Sequence, residues 1–234
     1  MKQVNFQFAD TSANLASAIE VIEVIWPWIA DIGSFADLGG GMGSWSKALE
    51  LKGISNFNLI DHPLTPVENI LIENKSNFTP VDLELDLPVY EHYDLVICTE
   101  VFEHFSEKRA LELLEWINAS TDFILFSAAI PRQGGLGHVN LQRHAYWHEK
   151  FSNLGFSFFD GFKPEIISNQ GIKYWFRQNL FLYHRGKFTE RFQNLSNITN
   201  PEFELVHKSI LNKPIGRKEW LGLFLTLFFR KKKN

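Results

Sequence analysis

The 234 residues carry 23 Lys and Arg against 27 Asp and Glu, a net charge of −4 that gives no general attraction for nucleic acid. The chain is long enough for one substantial core; its 45% apolar fraction is ordinary, whereas 22 Phe and 7 Trp are many. The single Cys98 permits no intramolecular disulfide, residues 1–6 lack the apolar core of a signal peptide, and no run approaches the roughly 20 apolar residues that span a bilayer, so the reducing cytoplasm is the expected location.

Thr11 or Ser12 can cap a helix through Leu15, Ile19, Ile22 and Ile25 to Trp26, where Pro27 disturbs it. A strand over 34–38 follows, then a glycine loop and a helix through Trp45, Ala48 and Leu51 that Gly53 ends. Strands are expected over 56–61 and 77–81, stopping at Asp61 and Asp82. The nearly continuous apolar runs at 93–99 and 122–128 read as strands covered on both faces, with a helix over 107–118 between them. A helix over 144–154, a strand over 155–160 and a long aromatic strand region over 173–184 complete the pattern. Strands alternating with helices imply an α/β chain with a mostly parallel sheet and helices on both faces. Ligands of such sheets sit outside the carboxyl ends of the strands. Residues 1–190 read as one domain, and 191–234 as a helical appendage after an Asn- and Ser-rich loop.

Two strings carry the chemistry. The first is Asp37-Leu-Gly-Gly-Gly-Met-Gly43, in which Gly39, Gly41 and Gly43 recur at every second position after a strand. Glycine lets a ligand approach the backbone closely, and the following helix start suits an anionic group. The spacing differs from the dinucleotide fingerprint, and Asp37 is placed to meet an ammonium. A ligand with an ammonium, a carboxylate and an adenosine fits both ends, which points to S-adenosylmethionine rather than NAD. Asp61, 24 positions after Asp37, can accept hydrogen bonds from a ribose diol, and Asp82 can reach the adenine edge with Leu83 packing nearby. Both acids also suit ordinary strand ends.

The second string is Glu100-Val-Phe-Glu-His104, which puts Glu100, Glu103 and His104 on one face of a helical turn. Two such close carboxylates need a proton or a cation between them, and two Glu oxygens with an imidazole suit Mg²⁺, Mn²⁺ or Zn²⁺. His138, in the loop after the fifth strand, is a candidate fourth ligand. Local capping by Glu103 and His104, and general-base use of His104 or His138, are the competing readings.

On these strings the chain resembles the class I S-adenosylmethionine-dependent methyltransferases, and more narrowly the bacterial methyltransferase-domain-23 branch found among polysaccharide-modifying enzymes. The likeness covers residues 12–185 and includes Ser127-Ala-Ala-Ile-Pro, Gly137-His-Val-Asn140 and Trp175-Phe-Arg-Gln-Asn179. It implies a Rossmann-like, seven-stranded sheet whose last strand pair is an antiparallel hairpin, with the aromatic segment 175–183 as a member. It also implies that Asp37, Gly39 and Gly41 hold the methionine end, Asp61 the ribose and Asp82 the adenine side. The Glu-x-x-Glu-His string is similar to that of ubiquinone-biosynthesis and small-RNA 3′-terminal O-methyltransferases, which implies Glu100, Glu103, His104 and His138 as cation ligands. The chain departs from the branch in having Leu141-Gln-Arg-His144 after Gly-His-Val-Asn. Arg132, His144, Trp147 and Arg177 could line the acceptor site or be structural.

The expected function is O-methylation of a hydroxyl on a sugar, glycan or other small molecule, assisted by a divalent cation. A binding-only domain of the same fold and methylation of RNA ends are the alternatives; the acidic balance speaks against nucleic acid. The segment 220–229 with Arg230-Lys-Lys-Lys233 is too short to span a bilayer; it can lie peripherally on an anionic membrane, on the cytoplasmic face, or dock on the domain or a second subunit.

Overall fold

The structure is a computed structural model and describes residues 11–193, Leu195 and Asn197. Helix α1 (Thr11–Ile29) leads to strand β1 (Phe35–Leu38), and helix α2 (Ser44–Glu50) to strands β2 (Phe57–Asp61) and β3 (Phe78–Pro80). Strand β4 (Leu95–Thr99), helix α3 (Glu107–Ser120), strand β5 (Phe123–Ser127) and helix α4 (His144–Asn153) follow. Strand β6 (Ser157–Phe159), the short helices α5 (Lys163–Ser168) and α6 (Tyr174–Asn179), and strand β7 (Phe181–His184) close the sheet.

The strand order is β3-β2-β1-β4-β5-β7-β6, parallel from β3 to β5, with β7 antiparallel to both neighbours. Every residue of β1 and β5 is buried, as the unbroken apolar runs require. Period-two alternation divides the core between the two faces. Phe35, Leu59, Ile97 and Leu125 pack with Val21, Ile25 and Leu49 of α1 and α2, and with Ile166 and Phe176 of α5 and α6. Ala36, Val96, Ile124 and Phe126 pack with Leu113, Trp116, Trp147 and Phe151 of α3 and α4 on the other face.

Two expectations change. Helix α1 continues past Pro27 to Ile29, because Ile25 and Ile29 are both fully buried and hold the last turn on the sheet. The region 173–184 is not one strand: residues 174–179 are helix α6, and only 181–184 are strand. A strand would send Gln178 and Asn179 to opposite faces, whereas the end of a helix brings both buried amides to the same side chains. The last strand pair is antiparallel as expected, but α5 and α6 lie between its members. No helix among the described residues is long and apolar enough to cross a membrane. The segments 220–229 and 230–233 lie outside the described residues.

Candidate active site

The carboxyl ends of β1, β2 and β4 bring the two strings together. Gly39, Gly41 and Gly43 all have positive φ, at 69°, 57° and 78°. Gly39 lies against the turn after β4: a Cβ there would stand 2.7 Å from the Val101 side chain. Gly40, which the every-second spacing passes over, is equally constrained, since its Cβ would stand 2.4 Å from Leu59 and 2.5 Å from Asp37. At Gly41, by contrast, the space is open.

Asp37 is 1% exposed, and its Oδ2 accepts from the backbone N–H of Ser46 at 3.1 Å and the Ser46 hydroxyl at 2.7 Å. Burial pushes its pKa up to about 7 against these hydrogen bonds. The first turn of α2 therefore already donates its Ser46 N–H within the protein. Asp61 Oδ2 accepts from the Gly41 N–H at 2.6 Å, and its Oδ1 accepts from the His62 N–H and the Thr65 hydroxyl. A carboxylate has about four lone-pair positions, so a ribose hydroxyl can still be added at Oδ2. Asp82 ends the run after β3, with Oδ1 accepting from the Glu84 N–H and Oδ2 3.5 Å from His62 Nε2. Leu83 is buried in the core with Leu38 and Ile60, and its carbonyl accepts from Arg109. The open Gly41 cradle, the buried acid at Asp37 and the two strand-end acids fit S-adenosylmethionine.

The second string forms a single 3-10 turn, Phe102–His104, after β4. The N–H groups of Val139 and Asn140 both donate to the Glu103 carbonyl, which pins the loop carrying His138 onto this turn. As a result one ligand atom each from Glu103, His104 and His138 lie within 4.8 Å of one another. Glu103 is 0% exposed, and neither of its carboxylate oxygens accepts a well-formed hydrogen bond, although the Ala129 backbone and the Glu100 carboxyl lie close by. Burial, and then the neighbouring Glu100, push its pKa well above the usual carboxylate range. His138 Nε2 stands 4.0 Å from Glu103 Oε1, and the His104 and His138 rings meet edge to face at 4.8 Å. Burial, and then His104, push His138 down to about 4; desolvation lowers His104 too, against the Gly137 carbonyl. Two imidazoles neutral at pH 7 beside a buried carboxylate fit a divalent cation.

Glu100 is oriented differently. Its backbone is left-handed, at φ 54°, and its N–H donates to the Ser127 carbonyl. Its Oε2 accepts from Gln133 Nε2 at 2.9 Å and its Oε1 from Asn179 Nδ2 at 3.1 Å. Neither Gln133 nor Asn179 has a role legible in the sequence, although Asn179 ends the Phe-Arg-Gln-Asn string. Their meeting with Glu100 depends on β5 and α6 and leaves no linear spacing to read. Of the acceptor-side candidates, Arg132 has a left-handed backbone at φ 71°, His144 is buried against Asn179, Trp147 packs on Phe102 and Phe126, and Arg177 donates to the Ile167 carbonyl. Trp147, 1% exposed, is a core residue.

No protein-family model and no curated protein sequence matches the chain. Among solved structures, the plantazolicin methyltransferase BpumL in complex with SAH superposes at TM-score 0.54 and 14% identity, over 76% of this chain and 86% of BpumL. The mitomycin 7-O-methyltransferase MmcR gives TM-score 0.53 at 13% identity over 75% of this chain. The methyltransferase domain of bacterial CtHen1 gives 0.50 at 13% identity, over 72% of this chain and 98% of that domain. The chain therefore has the Rossmann-like α/β fold of these methyltransferases. The chain spans 55% of the length of MmcR but most of BpumL.

Proposed function

We propose that the protein transfers the methyl group of S-adenosylmethionine to a hydroxyl of a sugar, glycan or other small molecule, with a divalent cation held by Glu103, His104 and His138. The observation that carries this reading is the contact of Gly39 with Val101: the glycine loop abuts the turn that bears Glu103 and His104. A cofactor cradled by that loop would lie beside the three converging ligands. The strings Ala129-Ile-Pro131 and Phe176-Arg-Gln-Asn179 support placement with the polysaccharide-modifying branch, and hence a glycan-type acceptor.

In this reading Asp37 takes the ammonium, Gly39 and Gly41 admit the methionine backbone, Asp61 binds the ribose and Asp82 faces the adenine side. A bound cation lowers the pKa of a hydroxyl it touches. Because the sulfonium methyl is already activated, the protein's own task is to align the acceptor and exclude water. The low basicity of His138 favours its use as a ligand over use as a general base at pH 7. His104, the exposed member of the set, is the better proton acceptor where no cation is bound.

Dialysis against a chelator, followed by transfer of labelled methyl to glycan, lipid and small-phenol pools, tests this. Transfer is expected to fall on chelation and to return with Mg²⁺ or Mn²⁺. Turnover indifferent to chelation would remove the cation, and failure to bind S-adenosylhomocysteine would remove the cofactor.

A further inference from the structure

We propose that Glu100 is a positioning residue, not a cation ligand: Gln133 and Asn179 clamp its carboxylate beside Glu103 and leave Glu103, His104 and His138 as the protein's ligand set. The proposal rests on the cation reading above and concerns how the chain's own residues divide that work.

The two acids are placed in opposite situations. Both Glu100 oxygens accept from amide NH₂ groups, at 2.9 and 3.1 Å, and Glu100 stands outside the group of ligand atoms that converge within 4.8 Å, whereas Glu103 belongs to that group and no well-formed hydrogen bond holds either of its oxygens. The amides cannot simply turn round. Gln133 Oε1 accepts from Asn179 Nδ2 at 2.9 Å and from Gln178 Nε2 at 3.3 Å. Asn179 Oδ1 accepts from Gln178 Nε2 at 2.8 Å and meets His144 Nε2 at 3.2 Å. Flipping either amide would oppose donor to donor and leave Glu100 facing an oxygen. The cluster is anchored in turn, because the fully buried Lys163 donates to the Gln178 carbonyl at 2.8 Å. Glu100 is thus held in one orientation next to Glu103, much as outer-shell carboxylates orient and tune ligands in metal sites.

Mn²⁺ affinity measured by electron paramagnetic resonance, and the visible absorption of the Co²⁺-loaded protein, distinguish ligand from positioner. S-adenosylhomocysteine binding serves as the readout of folding. Glu103→Gln is expected to weaken Mn²⁺ by more than about 100-fold, beyond the usual outer-shell range. Glu100→Gln and Asn179→Ala are expected to weaken it about 10-fold with the Co²⁺ bands unmoved. Equal losses for Glu100→Gln and Glu103→Gln, or a shifted Co²⁺ spectrum in Glu100→Gln, would overturn the assignment while leaving the cation reading intact. Undiminished Mn²⁺ affinity in Glu100→Gln would overturn it as well. A wild-type protein that binds S-adenosylhomocysteine but no Mn²⁺ or Co²⁺ would overturn both. Should Asn179→Ala fail to fold, the contrast between the two Glu variants decides alone.

Discussion

At Asp37, folding and ligand recognition pull in opposite directions. Its carboxyl is shut in beneath the glycine loop, and burial pushes its pKa from 3.8 to about 7 despite two hydrogen bonds from Ser46. A folded value above the unfolded one means that protonation favours the folded state. That contribution is complete below the unfolded pKa of 3.8 and is lost as the pH rises through about 7. At pH 8 the apo protein therefore holds an unpaired buried carboxylate, which an incoming ammonium would neutralise. Asp37→Asn keeps an oxygen for Ser46 and carries no charge. It is expected to raise the melting temperature at pH 8 by a few degrees, about 2–6 °C. It should also weaken S-adenosylhomocysteine binding at least about 10-fold, as a lost charge-assisted hydrogen bond would. Thermal scanning and calorimetric titration measure the two effects. A lower melting temperature with unchanged affinity would make Asp37 a structural acceptor for α2. The linear strings point to Asp37, Glu100, Glu103, His104 and His138 through spacings of a few residues or a glycine-rich loop, and the fold brings the last three of these together. Gly40, Ser46, Gln133 and Asn179 are not legible there, because each is defined by what the fold brings against it.

The same distinction holds for elements. Strands β1, β4 and β5 could be read directly, since a strand covered on both faces must be apolar throughout. Residues 174–179 misled, because an aromatic run satisfies strand propensity while its tertiary partners select a helix. Phe176 meets the Trp45 ring edge-on at 5.1 Å, and the adjacent amides turn to the Glu100 side. At the other end of β7, Arg185 binds three elements together. Its Nε donates to Asp122 at 2.6 Å, and its terminal nitrogens donate to the Asn118 and Thr121 carbonyls at the end of α3 and to the Leu154 carbonyl after α4. The guanidinium also lies 4.3 Å over Phe156. Losing this fork strands the last carbonyls of α3, so Arg185→Ala is expected to cost about 2–3 kcal/mol in urea unfolding. Arg185→Lys should recover under half of that, since a point ammonium cannot reproduce a planar fork. Full recovery by Lys would show that charge alone, through Asp122, does the work.

For the whole molecule, charge weighs against one of the acceptors that the fold leaves open. A cation held by Glu103, His104 and His138 would suit a ribose diol at an RNA end as well as a sugar hydroxyl. Nucleic acid, however, binds chiefly through phosphate neutralisation by Lys and Arg. This chain has 27 acids to 23 bases, and several of its bases are occupied: Lys47 by Glu50 and Glu73, Lys52 by Glu23, Arg109 by Glu112, Arg185 by Asp122 and Arg191 by Asp31. The cluster Arg230–Lys233 stands apart from them in sequence, at the end of the chain. Labelled single-stranded RNA is therefore expected to bind with Kd weaker than about 100 μM at 50 mM salt, beyond the weak end of ordinary non-specific association. Whatever binding is seen should disappear in a chain truncated before Trp220, which lacks that cluster. Fluorescence anisotropy of both chains at 50 and 200 mM salt gives the measurement. Tight binding that survives truncation and falls by orders of magnitude between these salts would establish a phosphate-reading surface on the domain and move the acceptor from glycans to RNA.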